Sequence, residues 1–336
     1  MHIGLTFDIQ REPADWRQAE FDPPATIEAL RRTLESLGHR VSLLGSALDL
    51  LRRGPASCCD IDLVFNIAEG WYGRCREAWT PAVLELFRVP YVGSDPLTLA
   101  VGLDKVMSKR LARAHGLRTP EGLCVDDARM LPSEWPLRFP AIVKPRYEGS
   151  GIGIDRGAVV HDGTALEARV RVALERFAQP VLIEEFIGHG ELTVFIIGND
   201  TPRTFPAIQR PLDPDTRLSC HVVPGASQQR WLAPLELDER LDRAAREAAL
   251  SLFAALGCRD MARVDLRVDT EGHVYVLEIN PLPSFDPEGT IGLLAEHLGR
   301  TYASLVSDIL ESALTRLGSD PKRRTRQLSC VGSDPR

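Results

Sequence analysis

Short apolar runs alternate with amphipathic segments through about the first 95 residues, and this alternation constrains the fold more than any other feature. Ile3–Phe7, Arg40–Leu44 and Ile61–Ile67 have the length and apolar content of buried strands. Between the first two, Ile27–Leu37 has apolar residues at helical spacing and is followed by Gly38, which favours the end of a helix. Because strands joined through helices run parallel, the pattern predicts an α/β chain with a doubly wound N-terminal lobe.

The rest of the chain alternates less regularly, which indicates α+β architecture in the C-terminal part. The predicted strands are Phe139–Lys144, Val181–Phe186, Leu192–Ile197, Ala262–Val268 and Val274–Ile279. The predicted helices are Leu103–His115, Ala165–Phe177, Asp238–Leu256 and Thr301–Leu317. We therefore divide the sequence into an N-terminal lobe (1–97), a central lobe (98–180), a C-terminal lobe (181–316) and a disordered basic tail (317–336).

Charge and composition argue against several classes of protein. Asp and Glu number 47 against 40 Lys and Arg, a formal net charge of −7, so the chain lacks the broad positive field typical of nucleic-acid-binding proteins. No segment approaches the ~18 apolar residues of a membrane-spanning helix, and the N-terminus lacks the pattern of a signal peptide. The 7 cysteines include no CxxC pair, which predicts neither a disulfide framework nor a zinc site. We expect a cytoplasmic protein with no nucleic-acid or membrane partner.

A predicted hairpin in the C-terminal lobe concentrates polar side chains on one face. With Glu271-Gly272 as its turn, Asp265 pairs with Glu278 and Arg263 pairs with Asn280. Two carboxylates and an amide oxygen are ligands that Mg²⁺ prefers, whereas two adjacent carboxylates without a cation repel each other. The alternative is an arginine–carboxylate network on an exposed sheet face. The residues predicted to pack on the opposite face are Val264, Leu266, Leu277 and Ile279.

Three further motifs suit nucleotide binding, and each has a simpler alternative. Lys144 ends a strand and precedes the glycine-rich loop Glu148–Gly153, which suits a polyphosphate but also a plain hairpin turn. The strand Val181–Ile187, followed by Glu191, could offer backbone groups to a base and a carboxylate to a ribose, or form a solvated edge. Lys105 at a helix start could bind phosphate or be solvated.

The order of these motifs along the chain resembles that of the ATP-grasp superfamily, and more closely that of the D-alanine–D-alanine ligases. Phe65–Gly70, Arg76-Glu77 and Pro90–Pro96 are similar to that family as well, so that the resemblance covers roughly residues 1–316. It implies the ATP-grasp fold, ATP, and Mg²⁺ as two ions, with Mn²⁺ as a possible replacement.

The resemblance also implies a role for each matching residue. Lys105 and Lys144 are expected to contact the phosphates of ATP. A mobile loop closing over the phosphates contains Ser150, Gly151 and Gly153. Glu184 and Ile187 are expected to contact adenine, and Glu191 is expected to contact the ribose. The metal ligands are Asp265, Glu278 and Asn280. Arg263, together with Ser150, takes a catalytic role in stabilising the acyl phosphate and the tetrahedral state.

Departures from the family pattern concern the substrates. Ser284 replaces the glycine that helps to form the oxyanion hole, and Gly289 falls near a serine that holds the second substrate's carboxylate. The family's Lys-Tyr pair is absent from residues 210–221, where His221 and Arg217 are candidate substrate contacts or ordinary loop residues. The candidates for holding a substrate amino group, or else solvated carboxylates, are Glu20, Asp22, Glu69 and Glu77.

The function predicted from the sequence is ATP-dependent ligation of a carboxylate to an amine through an acyl phosphate. The expected partners are small amino-acid-type substrates other than two D-alanines, and a homodimer is expected by analogy. One alternative is an ATP-grasp enzyme that transfers phosphate without ligation. The other is an ATP-binding regulator without a reaction, which the Asp265–Glu278–Asn280 trio disfavours because a binding module does not need two metal ions.

Overall fold

Three β-sheets organise the part of the chain that this computed structural model describes, namely residues 1–132, 134–219, 222–223 and 232–319. In the N-terminal lobe the elements are β1 (His2–Thr6), α1 (Pro24–Ser36), β2 (Arg40–Gly45), α2 (Ala47–Arg53), β3 (Leu63–Asn66), α3 (Trp79–Leu86) and β4 (Tyr91–Val92). The strands form a parallel sheet in the order β2-β1-β3-β4, with α1 against one face and α2 and α3 against the other. The predicted doubly wound lobe is confirmed.

The next sheet is antiparallel and has the order β5-β8-β6-β7. Its region contains α4 (Pro96–Leu103), α5 (Lys105–Ala114), β5 (Gly122–Val125), β6 (Ala141–Pro145), β7 (Val159–Val160), α6 (Gly163–Phe177) and β8 (Val181–Glu185). Strand β8 pairs with both β5 and β6, so the predicted lobe boundary between residues 180 and 181 cuts through this sheet. A boundary after residue 185 keeps the sheet whole.

One predicted helix, Leu103–His115, is wrong at its start. Asp104 interrupts the helix with extended backbone, and its carboxylate accepts hydrogen bonds from the backbone N–H groups of Val106 and Met107. Arg146 also donates two hydrogen bonds of 2.7 Å to this carboxylate. A separate helix, α4, precedes the break. Its start is marked by Asp95 as N-cap and Pro96 in the first turn, a signal that the sequence contains.

The third sheet has the order β10-β9-β12-β13, and β11 also pairs with β9. The elements are β9 (Gly190–Ile197), β10 (Arg203–Thr204), β11 (Ile208–Gln209), α7 (Glu239–Leu256), β12 (Met261–Val268), β13 (Val274–Asn280), α8 (Thr290–His297) and α9 (Tyr302–Ser319). Helix α9 includes residues 317–319 of the predicted tail, and residues 320–336 lie outside the described part. In the described part, no helix has the length and apolar content needed to cross a membrane.

The β12–β13 hairpin confirms the predicted register at its polar end. Arg263 pairs with Asn280 and Asp265 pairs with Glu278. A bulge follows Asp265, after which the pairing shifts by one residue. Because of this shift Val276 is buried in the core, and Leu277, which was predicted to pack there, lines a cleft on the polar side.

Asp260 joins the N-terminal lobe to the C-terminal lobe. It is fully buried and accepts hydrogen bonds from the backbone N–H of Gly93 at 2.8 Å, from Asn199 at 3.0 Å and from Arg316 at 2.6 and 2.9 Å. Arg316 lies in α9 and also donates to the carbonyl of Tyr91. One buried carboxylate therefore holds β4, the third sheet and the last helix together.

We expect Asp260→Ala to lower the free energy of unfolding by about 3 to 5 kcal/mol, because it leaves a partly buried guanidinium without its counter-charge. Chemical denaturation measures the effect. Asp200→Ala, an exposed aspartate nearby, is the matched control and is expected to change stability by less than about 0.5 kcal/mol. Equal stability of the two variants would contradict this assignment.

Candidate active site

A cleft of about 790 Å³ opens between the second and third sheets, and two of the predicted phosphate-binding lysines lie at its base. Lys105 is the first residue of α5 and contacts Glu278 at 2.8 Å, while Lys144 on β6 contacts Glu184 at 2.8 Å. All four side chains are largely buried. A polyanionic ligand could replace the carboxylates as the partner of these two lysines. The cleft therefore suits such a ligand.

Glu278 is held in its ionised form. Burial alone would raise its pKa, but Lys105, Lys144 and Arg263 together lower the pKa to about 2. A carboxylate must be ionised to bind a metal ion, so Glu278 meets this requirement at neutral pH.

Lys109 is a buried residue at this site that the sequence analysis missed. It lies one helical turn after Lys105, is 3% exposed and forms an ion pair with Glu184. Burial and the nearby Lys144 ammonium lower the pKa of Lys109 to about 7, against the opposite effect of Glu184. The i, i+4 spacing of the two lysines was the available signal, because it places both on one helix face.

Glu184 and Ile187, the two predicted adenine contacts, both line this cleft. The Glu184 carboxylate is 1% exposed and forms ion pairs with the two lysines Lys109 and Lys144. The residues that form the apolar wall of the cleft are Ile142, Phe186, Ile187, Leu218 and Leu277.

Glu191 lies in the same cleft and forms a buried ion pair of 2.6 Å with Arg267, a residue that the sequence analysis did not select. The Arg267 guanidinium also lies 5.2 Å from the centre of the Phe186 ring. This arrangement places a carboxylate beside an apolar wall, which is the chemistry a nucleoside requires. Arg217, a candidate substrate contact, is on this side of the cleft, where its carbonyl accepts a hydrogen bond from Arg267.

The predicted metal ligands meet on the polar face of the hairpin. Arg263 donates to Asp265 at 2.8 and 3.1 Å, and Asn280 donates to the same carboxylate at 3.3 Å. Within the described ranges no group of three or more His, Cys, Asp or Glu residues could hold a metal ion. Two carboxylates and an amide oxygen therefore fit Mg²⁺ only when phosphate oxygens and water complete its shell, which is the usual manner of Mg²⁺ binding.

Arg210 is a third residue that the sequence analysis did not select as a site candidate. Its guanidinium donates to the hydroxyl of Thr193 at 3.2 Å, and Thr193 donates to Asp265 at 2.8 Å. It also donates to Thr290 at the start of α8. Arg210 therefore orients Asp265 through one intervening hydroxyl.

The glycine-rich loop borders the cleft and a second pocket. Ser150 is exposed and has a φ of 47°, and the following Gly151 has a φ of 73°. Gly153 has a φ of 79°, and a Cβ there would meet the Pro145 ring at 2.5 Å. Strained backbone of this kind is typical of loops that approach a ligand closely.

A second pocket lies between the N-terminal lobe and the end of the hairpin. It gathers residues that the sequence analysis selected as substrate or catalytic candidates: Glu20, Asp22, Glu69, Glu77, Ser150, Arg263, Asn280 and Ser284. Asp286, Gln10 and Leu282 also line it. His221, the remaining candidate, lies outside the described residues. The two pockets meet at the hairpin, where Asp265 and Glu278 face the first cleft and Arg263 and Asn280 face the second pocket.

Arg76 anchors one wall of the second pocket. It is 4% exposed, forms an ion pair with Glu20, contacts Glu148 at 3.2 Å and donates to the carbonyl of Tyr147 at 2.7 Å. Glu148 begins the glycine-rich loop, so Arg76 connects the loop to the N-terminal lobe.

Burial and neighbouring carboxylates raise the pKa values of three carboxyl groups in the second pocket. Burial, Asp286 and Asp8 raise the pKa of Asp22 to about 7. Burial and Glu20 raise the pKa of Glu77 to about 8, against the opposing effect of Arg76. Burial and Glu77 also raise the pKa of Glu69 well above its usual range.

Comparison with known proteins agrees with this geometry. A family model described as D-ala D-ala ligase C-terminus matches residues 123–311. The D-alanine–D-alanine ligase of Synechococcus sp. JA-3-3Ab is 34% identical over 299 residues, which cover 87% of this chain and 88% of the relative. The uncharacterised protein y4sG of Sinorhizobium fredii is 35% identical over 263 residues, which cover 76% and 75%.

Solved structures share the fold. D-alanine–D-alanine ligase from Bacillus anthracis complexed with ATP has a TM-score of 0.73 at 24% identity, covering 94% of this chain and 98% of that one. VanG D-Ala:D-Ser ligase from Enterococcus faecalis has a TM-score of 0.72 at 18% identity, covering 93% and 99%.

The raised pKa of Asp22 predicts a stability that falls as the pH rises. Between about pH 4 and pH 7 the folded chain keeps a proton on Asp22 that the unfolded chain has lost, so each rise in pH favours unfolding. We expect Asp22→Asn to remove this effect. The free energy of unfolding of the variant minus that of the parent protein should be larger at pH 8 than at pH 5 by about 2 to 4 kcal/mol, because only the parent loses this stability as the pH rises. Urea denaturation of both proteins at the two pH values measures it, and an offset that is independent of pH would contradict it.

Proposed function

Because the chain belongs to the D-alanine–D-alanine ligase family of ATP-grasp carboxylate–amine ligases, we propose that it joins two small amino-acid-type substrates that are not simply two D-alanines. The observation that carries this proposal is the polar face of the hairpin, which lies between the two pockets. Asp265 and Glu278 face the nucleotide side, and Arg263 and Asn280 face the substrate side. A γ-phosphate in the first pocket and a carboxylate in the second would therefore meet at one place.

The reaction has two steps. A carboxylate oxygen of the first substrate attacks the γ-phosphorus of ATP, the bond from phosphorus to the bridging oxygen breaks, and ADP leaves an acyl phosphate. The nitrogen of the second substrate, after losing a proton, attacks the acyl carbon, and phosphate leaves as the amide bond forms. The sum is one amide, ADP, phosphate and one released proton.

The side chains of this chain stabilise charge in both steps. Lys105 and Lys144 would leave their glutamate partners and neutralise phosphate oxygens. Arg263 lines the second pocket and would stabilise the negative oxygen of the tetrahedral state. Closure of the loop containing Ser150, Gly151 and Gly153 would exclude the water that hydrolyses acyl phosphates.

Asp265, Glu278 and Asn280 would hold Mg²⁺, which we propose binds as two ions and which supplies charge neutralisation at the phosphates. Ile187 and the apolar wall would contact adenine, and Glu191 would contact the ribose. Glu20, Glu69 and Glu77 would hold a substrate ammonium group.

The substrate preference rests on the end of the second pocket. Ser284 lines it in place of the family's glycine, and residues 210–219 supply Arg210 rather than a Lys-Tyr pair. We further propose lobes of 1–97, 98–185 and 186–316, and a homodimer, the latter by analogy with relatives.

The first experiment measures Mg²⁺-dependent ADP release with a panel of amino acids, singly and in pairs, together with mass spectrometry of the products. We expect a pair-dependent rate and a product lighter than the two substrates by one water. D-alanine alone should support a lower kcat/KM than the best pair. If D-alanine alone gives the highest kcat/KM, the proposed substrate change is wrong.

Asp265→Asn and Glu278→Gln should each lower kcat by about 100-fold or more, because they remove ionised metal ligands. Glu271→Gln, at the exposed turn of the same hairpin, is the matched control and should retain full activity. Release of ADP without an amine acceptor, with a stable phosphorylated product, would replace ligation by phosphate transfer.

A further inference from the structure

The second pocket contains more carboxyl groups than one substrate ammonium group requires. Of the five carboxylates that line it, only Glu20 forms an ion pair, with Arg76. Asp22, Glu69, Glu77 and Asp286 form no ion pair with any residue in the described ranges. Arg263, the arginine among the described residues that line the pocket, is paired with Asp265 of the hairpin.

Two of these carboxylates are buried to an extent that demands a partner. Asp22 is 7% exposed and Glu77 is 8% exposed, and neither side chain accepts a hydrogen bond from another described residue. Burial of an unpaired carboxylate is costly, and a structure retains such groups where a ligand completes them. Both line the pocket, so a ligand in the pocket reaches both.

The carboxyl groups extend along the pocket. Glu77 is within electrostatic reach of Lys105 and Glu278, at the hairpin end, whereas Asp22 is within reach of Asp286 and Asp8, near the start of the chain. Glu69 is within reach of both Glu77 and Asp22. No three of the described acidic, histidine or cysteine residues are arranged to hold a metal ion. An extended row of carboxyl groups without metal geometry suits an organic molecule that carries two ammonium groups.

We infer that the amino acid bound in this pocket is a diamino acid. Its carboxylate faces Arg263, one ammonium group contacts Glu69 and Glu77, and the second contacts Asp22 and Asp286. This inference rests on the proposed function for the location of the substrate, but it concerns binding and is tested separately from turnover.

The test compares amino acids that differ only in the terminal amino group. Calorimetry with the full chain, Mg²⁺ and a non-hydrolysable ATP analogue measures affinity for ornithine against norvaline, and for 2,4-diaminobutyrate against 2-aminobutyrate, in both enantiomers. 2,3-Diaminopropionate and lysine extend the series. At least one diamino acid should bind about tenfold or more tightly than its mono-amino analogue, because each charge-assisted hydrogen bond to a buried carboxylate adds affinity.

Variants at Asp22 and Asp286 test whether these two carboxyl groups cause the preference for a diamino acid. Asp22→Asn and Asp286→Asn should each reduce the ratio of the two affinities by about tenfold or bring it to one. Glu247→Gln, an exposed glutamate on α7, is the control and should leave the ratio as it was. Binding of the nucleotide analogue by each variant shows that it is folded.

The outcomes separate the two proposals. Equal affinity within every pair, or no binding of any diamino acid, overturns the inference while leaving ligase activity to be judged by ADP release. A ratio unchanged in both aspartate variants also overturns it. Absence of ADP release with every pair of amino acids overturns the proposed function, whereas a tenfold preference in binding would still support the diamino site.

Discussion

The site depends on one constraint, the burial of opposite charges that must balance before any ligand arrives. Lys105, Lys109 and Lys144 lie at the base of the cleft, and Glu184 and Glu278 face them. A buried ion pair adds little net stability, because desolvation offsets most of the attraction. Its value here is positional, since it holds the lysines and the Glu278 carboxylate in fixed positions where a phosphate could exchange for a carboxylate.

The second pocket, on the far side of the hairpin, has more unpaired carboxyl groups than cations. This difference gives the two pockets different selectivity. The nucleotide side has several cations and few unpaired anions, whereas the substrate side has unpaired carboxylates and one arginine. On the proposed function, polyphosphate would be attracted to one side and ammonium groups to the other. The hairpin carries residues of both sides on adjacent pairs, which would bring the two ligands together at the reacting atoms.

The sequence predicted the parts of the site that depend on local periodicity. The pairing of Asp265 with Glu278 followed from strand alternation and turn position, and the structure confirms it. The bulge after Asp265 and the helix break at Asp104 were not predicted. Asp104 accepts two hydrogen bonds from Arg146, which lies 42 residues away, and local periodicity does not show such a contact. Glu20 and Glu77 were candidates from sequence, but only the fold shows that they share a pocket with Arg263.

The bulge lets the hairpin keep its polar residues in register while Leu277 points to the cleft rather than the core. A regular ladder would link these two features. Asp265 and Glu278 stay in register with Arg263 and Asn280, while Leu277 turns towards the apolar wall of the nucleotide cleft. In evolutionary terms, Leu277 in the apolar wall can therefore be substituted without moving Asp265 and Glu278. Descendants of such a hairpin could change the shape of the cleft in single steps and keep its polar face throughout.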